Sequence, residues 1–166
     1  ITPLGSINLD QNSLSQILSL PQVQVIDEAH AQEHSLEVHL PFLQTVLDDF
    51  QLTPLVVGDA NADDVAEVLE QIWGGPETLI VISSDLSHYH SYSTANQLDQ
   101  TTSLAIENLQ PEKIQYEMAC GRNHVNGFLK LAKQKELHGK TLDLRNSGDT
   151  AGTKDRVVGY DAYAVK

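Results

Sequence analysis

Thr78-Leu-Ile-Val-Ile-Ser-Ser-Asp-Leu-Ser-His-Tyr-His-Ser-Tyr92 joins an apolar run to a polar burst. Thr78 to Ile82 are apolar or β-branched without alternation, which predicts a strand buried on both faces. Ser83, Ser84, Asp85, Ser87, His88 and His90 follow at once. A buried strand that ends this way puts titratable groups at the carboxyl edge of a sheet, where α/β folds bind ligands. The same residue types also turn a chain and cap a helix. The serines alone therefore identify nothing. Asp85 and His88, flanked by Tyr89, make the stronger candidate pair.

Upstream of this stretch, Leu14, Ile17, Leu18 and Leu20 fall at helical spacing behind Asn8 or Asp10 as N-cap, and Pro21 stops them. Val23 to Ile26 reads as a strand that runs into Asp27, Glu28 and His30. Leu36, Leu40, Leu43 and Leu47 form a helical stripe, with Pro41 predicting a kink or break near Val38. Thr53 to Val57 is a further strand, and Ala62 to Trp73 an amphipathic helix ended by Gly74-Gly75-Pro76. Strand, helix, strand, helix, strand is the pattern of crossover connections in a largely parallel sheet.

Downstream, helices are expected at Thr94–Asn108, Pro111–Met118 and Val125–Leu137. Thr141 to Leu144 and Arg156 to Val165 read as an antiparallel pair across a polar loop, Asn146 to Lys154. The expected architecture is α/β, one domain over residues 1–166, with a mixed, largely parallel central sheet between helical layers.

Composition narrows the function classes. The formal net charge of −13 argues against nucleic acid, which needs clustered Lys and Arg. No apolar run approaches the ~20 residues of a membrane span. The single cysteine rules out an intrachain disulfide and fits a reducing compartment, so the expected location is cytoplasmic. The chain begins at Ile1 without an initiator Met, which predicts a processed or truncated piece.

Three polar segments hold the candidate chemistry: Asp27 to Ser35, Ser83 to Tyr92, and Cys120 to His124. A thiol just before a helix N-terminus and next to Arg122 has its thiolate favoured by the dipole and the cation. Cys120 could equally be a buried apolar filler, or pair with His88 or His124 as a nucleophile. His30 and His34, four apart, could chelate a metal on a continuous helix, although the His-Glu-x-x-His pattern is absent. A polar network around Glu33 and His34 is the simpler reading. No Gly-x-Ser-x-Gly elbow, phosphate loop or dinucleotide motif occurs.

Taken in order, Asp27, Glu33-His-Ser-Leu-Glu37, Leu40-Pro-Phe42, Ser83-Ser-Asp-Leu-Ser-His88, Cys120-Gly-Arg122 and Val157-Val-Gly-Tyr160 resemble the Memo family, known in bacteria and archaea as AmmeMemoRadiSam system protein B. The resemblance runs along essentially the whole chain. It implies a fold like that of the LigB-type class III extradiol dioxygenases, incomplete at the N-terminus, with the chain as the C-terminal three-fifths of the domain. It also implies a transition-metal pocket, iron or copper, with two histidines and one cysteine as ligands. Cys120 matches the cysteine ligand, and His88 the acid/base histidine of the dioxygenases. Asp85, Glu33 and His34 match polar residues of the same pocket.

The family's ligand histidines stand in Pro-His-Ala-Gly and Ser-His-His contexts, and neither occurs here. The fragment is thus expected to hold no metal alone, with His124 as the alternative ligand. A metal-dependent redox protein is the leading functional expectation. A binding or scaffold protein that keeps the pocket is the rival, and a ring-cleaving dioxygenase ranks third. The expected partner is a small molecule or peptide, beside the missing N-terminal segment or a second copy of the chain.

Overall fold

The computed structural model describes all 166 residues. Its first elements are short: strand β1 (Asn8–Leu9), helix α1 (Gln11–Ile17), helix α2 (Asp27–His30), helix α3 (Leu40–Val46) and strand β2 (Gln51–Leu52). Asp10 caps α1 by accepting from the backbone N–H groups of Asn12 and Ser13. Pro41 falls in the first turn of α3, so the leucine stripe breaks just before Leu40, beside the expected Val38, and α3 is short. His30 ends α2, and His34 lies in the turns beyond it. The two histidines share no helix, which removes the chelating geometry considered for them.

The second half carries the larger elements: helix α4 (Ala62–Gln71), strand β3 (His88–His90), helix α5 (Tyr92–Glu107), helix α6 (Arg122–Gln134), strand β4 (Gly139–Asn146) and strand β5 (Val157–Val165). Asn61 and Asp64 close a capping box on α4, and Ser91 caps α5. Pro111 opens only a 3-10 turn, Pro111–Lys113, in place of the expected helix. No helix is long and apolar enough to cross a membrane.

β5 lies between β3 and β4 in an antiparallel sheet, and β1 pairs with β2 in parallel over two residues each. The β4–β5 hairpin matches expectation, from Gly139↔Val165 to Asn146↔Gly159. The large parallel sheet does not. Val23–Ile26, Thr53–Val57 and Thr78–Ile82 have no ladder partner. Thr78–Ile82 is covered on one side only. Ile80 and Ile82 pack on core clusters, while Leu79 and Val81 are 63% and 46% exposed. An apolar run reports that a segment suits a sheet; a strand exists only where a neighbour supplies its hydrogen bonds.

The core has two parts joined by α6. Ile106, Leu109, Ile114, Met118, Val125 and Leu129 form the larger cluster between α5 and α6. Val65, Ala66, Leu69 and Leu131 form the smaller one between α4 and α6, and Phe128 packs against both. Gly127 lets α4 and α6 approach, because a Cβ there would stand 2.4 Å from Val65 Cβ.

Candidate functional site

Two segments far apart in sequence meet where the polar burst leaves the core. Leu86 is 1% exposed and anchors residues 83–87. Its backbone N–H donates to the Gly159 carbonyl at 3.0 Å, and the Gly159 N–H returns a bond to the Ser87 carbonyl at 2.9 Å. Against this anchored segment lies the turn before α6. The Cys120 N–H donates to the Asp85 carbonyl at 3.2 Å, and the Asp85 N–H donates to Cys120 Sγ at 3.3 Å. The Gly121 N–H donates to Ser84 Oγ at 2.9 Å. Cys120 is exposed, so it is not a buried filler. The turn needs its glycine: a Cβ at Gly121 would meet His124 Nε2 at 2.1 Å and Ser84 Cβ at 2.8 Å.

His88 Nε2 lies 3.6 Å from Asp85 Oδ2, with both side chains partly exposed. Tyr89, next in the chain, has φ +62° and an exposed ring. That left-handed backbone, rare for a bulky residue, accompanies the register shift between His88 and His90 in β3. The ring meets the His88 imidazole edge-on at 5.7 Å and carries the Arg156 guanidinium at 5.0 Å.

The other sequence candidates take separate places. His34 is exposed and hydrogen-bonds Glu37, whose carboxylate raises its pKa. Glu33 Oε1 accepts from the Ser35 N–H at 2.7 Å, and that bond holds its pKa below the ordinary carboxylate range. Neither forms a hydrogen bond or ion pair with Asp85, His88 or Cys120. The Arg122 guanidinium stacks over Tyr116 at 5.4 Å.

Two histidines that the sequence did not single out as a pair converge on Ser83. His124 Nε2 is 2.7 Å from the Ser83 carbonyl, and His39 Nε2 is 3.0 Å from Ser83 Oγ. His39 carries no local motif, and only the packing of residues 35–39 against residue 83 brings it in. Both histidines border a groove of about 1480 Å³ that also takes in Val23, Leu43, Leu55 and Leu79.

No group of three or more His, Cys, Asp or Glu side chains is arranged to hold a metal ion. Cys120 offers one soft donor, His124 faces the Ser83 carbonyl, and His88 faces Asp85. These residues alone do not fit a complete transition-metal site, which needs several converging donors.

A family model described as Memo-like protein matches residues 1–164. The chain belongs to the Memo family. It is 34% identical over 179 aligned residues to a MEMO1 family protein of Methanobrevibacter smithii, covering 100% of this chain and 64% of that relative. A MEMO1 family protein of Ignicoccus hospitalis is 35% identical, with 97% and 61% covered, and one of Metallosphaera sedula is 32% identical, with 96% and 61% covered. The chain thus spans 61–64% of the length of these relatives. Over that span the Memo fold of this chain is mixed α/β.

Proposed function

We propose that this Memo chain carries the acid/base part and one ligand of a transition-metal pocket, iron or copper, in a metal-dependent redox protein whose substrate is undefined. The observation that carries this is the joining of Asp85 and Cys120 at 3.3 Å, with His88 3.6 Å from Asp85. It sets a soft donor against the backbone of the residue whose carboxylate faces an imidazole, at a solvent-reachable place. In this reading Cys120 Sγ is the thiolate ligand. Two histidine ligands come from chain beyond these residues, where the unpaired segments Val23–Ile26, Thr53–Val57 and Thr78–Ile82 also find the partners of a largely parallel, LigB-like sheet. His88 Nε2 gives or takes a proton, and Asp85 orients the ring. The site is cytoplasmic, where a free thiol stays reduced.

The deciding experiment is metal content after anaerobic loading with Fe(II) or Cu(I), on this chain and on the full-length protein. Stoichiometric metal in the full-length protein alone supports the reading. Stoichiometric metal in this chain alone overturns it in favour of a site built from His124 or His39.

The groove favours a second reading, a binding protein that keeps the pocket without catalysis. Exposed Val25, Leu79 and Val81 lie on or beside that groove, a surface suited to a peptide or protein partner. Pull-down with the Asp85→Ala protein separates the two, since groove binding should survive that change.

A further inference from the structure

β5 turns Gly159, Asp161 and Tyr163 to its inner side, because strand side chains alternate; Tyr160 and Ala162, between them, are exposed. α5 covers the inner side. Asp99 of α5 is 3% exposed and lies so close to β5 that a Cβ at Gly159 would be 2.2 Å from its Oδ2. Asp99 Oδ1 accepts from the Ser87 N–H at 3.0 Å. The Ser87 hydroxyl, on a fully buried residue, lies beside that carboxylate. The Tyr163 hydroxyl lies beside Ser103. Two carboxyl groups and two hydroxyls therefore line one internal strip.

No Lys or Arg charge bears on Asp99 or Asp161. The charges that act on the strip are Asp85 of residues 83–87, His88 and His90 of β3, and Asp99 of α5, with Glu107 acting at the Tyr163 end. On β4, Arg145 and Asp143 pair with each other beside Tyr160 and Ala162, the outer side of β5. Burial raises the pKa of both inner acids, that of Asp161 to about 7, with the Asp85 and Asp99 charges adding to its rise. Two carboxylates without a cation cannot both ionise cheaply in such a place. Asp99 receives a backbone N–H and feels both histidines, so it is the better anion. Asp161 has only negative neighbours.

We propose that Asp99 and Asp161 form a proton-holding pair beneath β3, Asp99 as the ionised anchor of the Ser87–His88 turn and Asp161 as the protonated member whose ionisation changes the charge facing Asp85 and His88. Both are positioning residues, reached through the protein interior. The inference rests on the reading of Asp85 and His88 as the acid/base pair. Ionisation of Asp161 adds a third negative charge behind them, which favours the protonated imidazole and opposes an anionic ligand.

The test is a pH titration of the metal-free full-length protein by NMR, following carbon-13 in the Asp carboxyl groups and the ring protons of His88. One Asp carboxyl carbon should move near neutral pH, far above the ordinary acid range. Asp161→Asn should remove that carboxyl movement and lower the midpoint of the His88 ring titration relative to the wild type. All carboxyl carbons titrating in the ordinary acid range would overturn the proposal, as would a near-neutral carboxyl movement that persists in Asp161→Asn or a His88 midpoint that the substitution leaves in place. If that variant does not fold, the wild-type carboxyl titration decides alone. No metal is present in the titration, so failure of metal loading leaves this result standing, and a flat titration leaves the metal reading standing.

Discussion

The backbone N–H of Asp85 points at Cys120 Sγ across 3.3 Å, and the Cys120 N–H points back at the Asp85 carbonyl across 3.2 Å. This reciprocal bridge fixes the thiol relative to the carboxylate that faces His88. The backbone holds the sulfur without burying it, so a change at Sγ alters chemistry more than stability.

Cys120→Ser in the full-length protein is expected to lose metal after anaerobic loading while denaturing within about 0.5 kcal/mol of the wild type, the range for exposed positions. Serine keeps the size of the side chain and an acceptor for the Asp85 N–H, but not a soft thiolate donor. Metal analysis beside urea denaturation checks it. Unchanged metal content would remove Cys120 from the site.

Gly121→Ala should damage both. The added carbon meets His124 Nε2 at 2.1 Å and Ser84 Cβ at 2.8 Å, so the His124–Ser83 and Gly121–Ser84 hydrogen bonds must yield. A loss of about 1–3 kcal/mol is expected from overpacking and broken bonds. Denaturant titration reads the stability, and alkylation of Cys120, faster than in the wild type, reads the opened turn.

Much of this was legible in the sequence, and the reasons differ by element. Asp10, Pro41 and Gly74 mark local boundaries, and local chemistry decided them. The β4–β5 hairpin follows from two strand patterns close in sequence. Thr78–Ile82 reads as a strand yet pairs with none, because composition cannot say whether a neighbouring strand is present. Asp85, His88 and Cys120 could be singled out as polar residues at element ends. Asp99 could not: it looks like the polar face of α5, and its burial, its bond from the Ser87 N–H and its approach to Gly159 show that it points inward. Asp161, between Tyr160 and Ala162, reads as a strand residue of either face until the burial of alternate β5 positions is known.

His34→Gln tests the separation of that residue from the site. The Glu37 carboxylate raises the His34 pKa, so the pair's contribution is present below the ordinary imidazole value and is lost as pH rises through the raised one. Both groups are exposed, and the expected effect on thermal unfolding is too small to resolve. Metal content and the ring signals of His88 should match the wild type at every pH. A loss of metal in this variant would return His34 to the pocket.

Asp161→Asn is expected to stabilise the protein, and only at the higher end of the pH range. The folded-state pKa of about 7 lies above the ordinary 3.8, so between these values the folded protein holds a proton that the unfolded chain releases. Stability therefore falls as pH rises from about 4 to about 7, and the loss is complete above that. A pKa unit corresponds to about 1.4 kcal/mol, which puts an upper bound of about 4–5 kcal/mol on the cost of the buried charge. Partial solvent access and relaxation of the strip reduce the expected gain to about 1–2 kcal/mol. Asparagine keeps the shape and removes the charge. Urea denaturation of both proteins at about pH 4 and about pH 8 should give coinciding midpoints at the lower pH and a higher midpoint for the variant at the upper one. Coinciding midpoints at both pH values would mean that Asp161 ionises freely in solvent, and that burial between α5 and β5 does not raise its pKa.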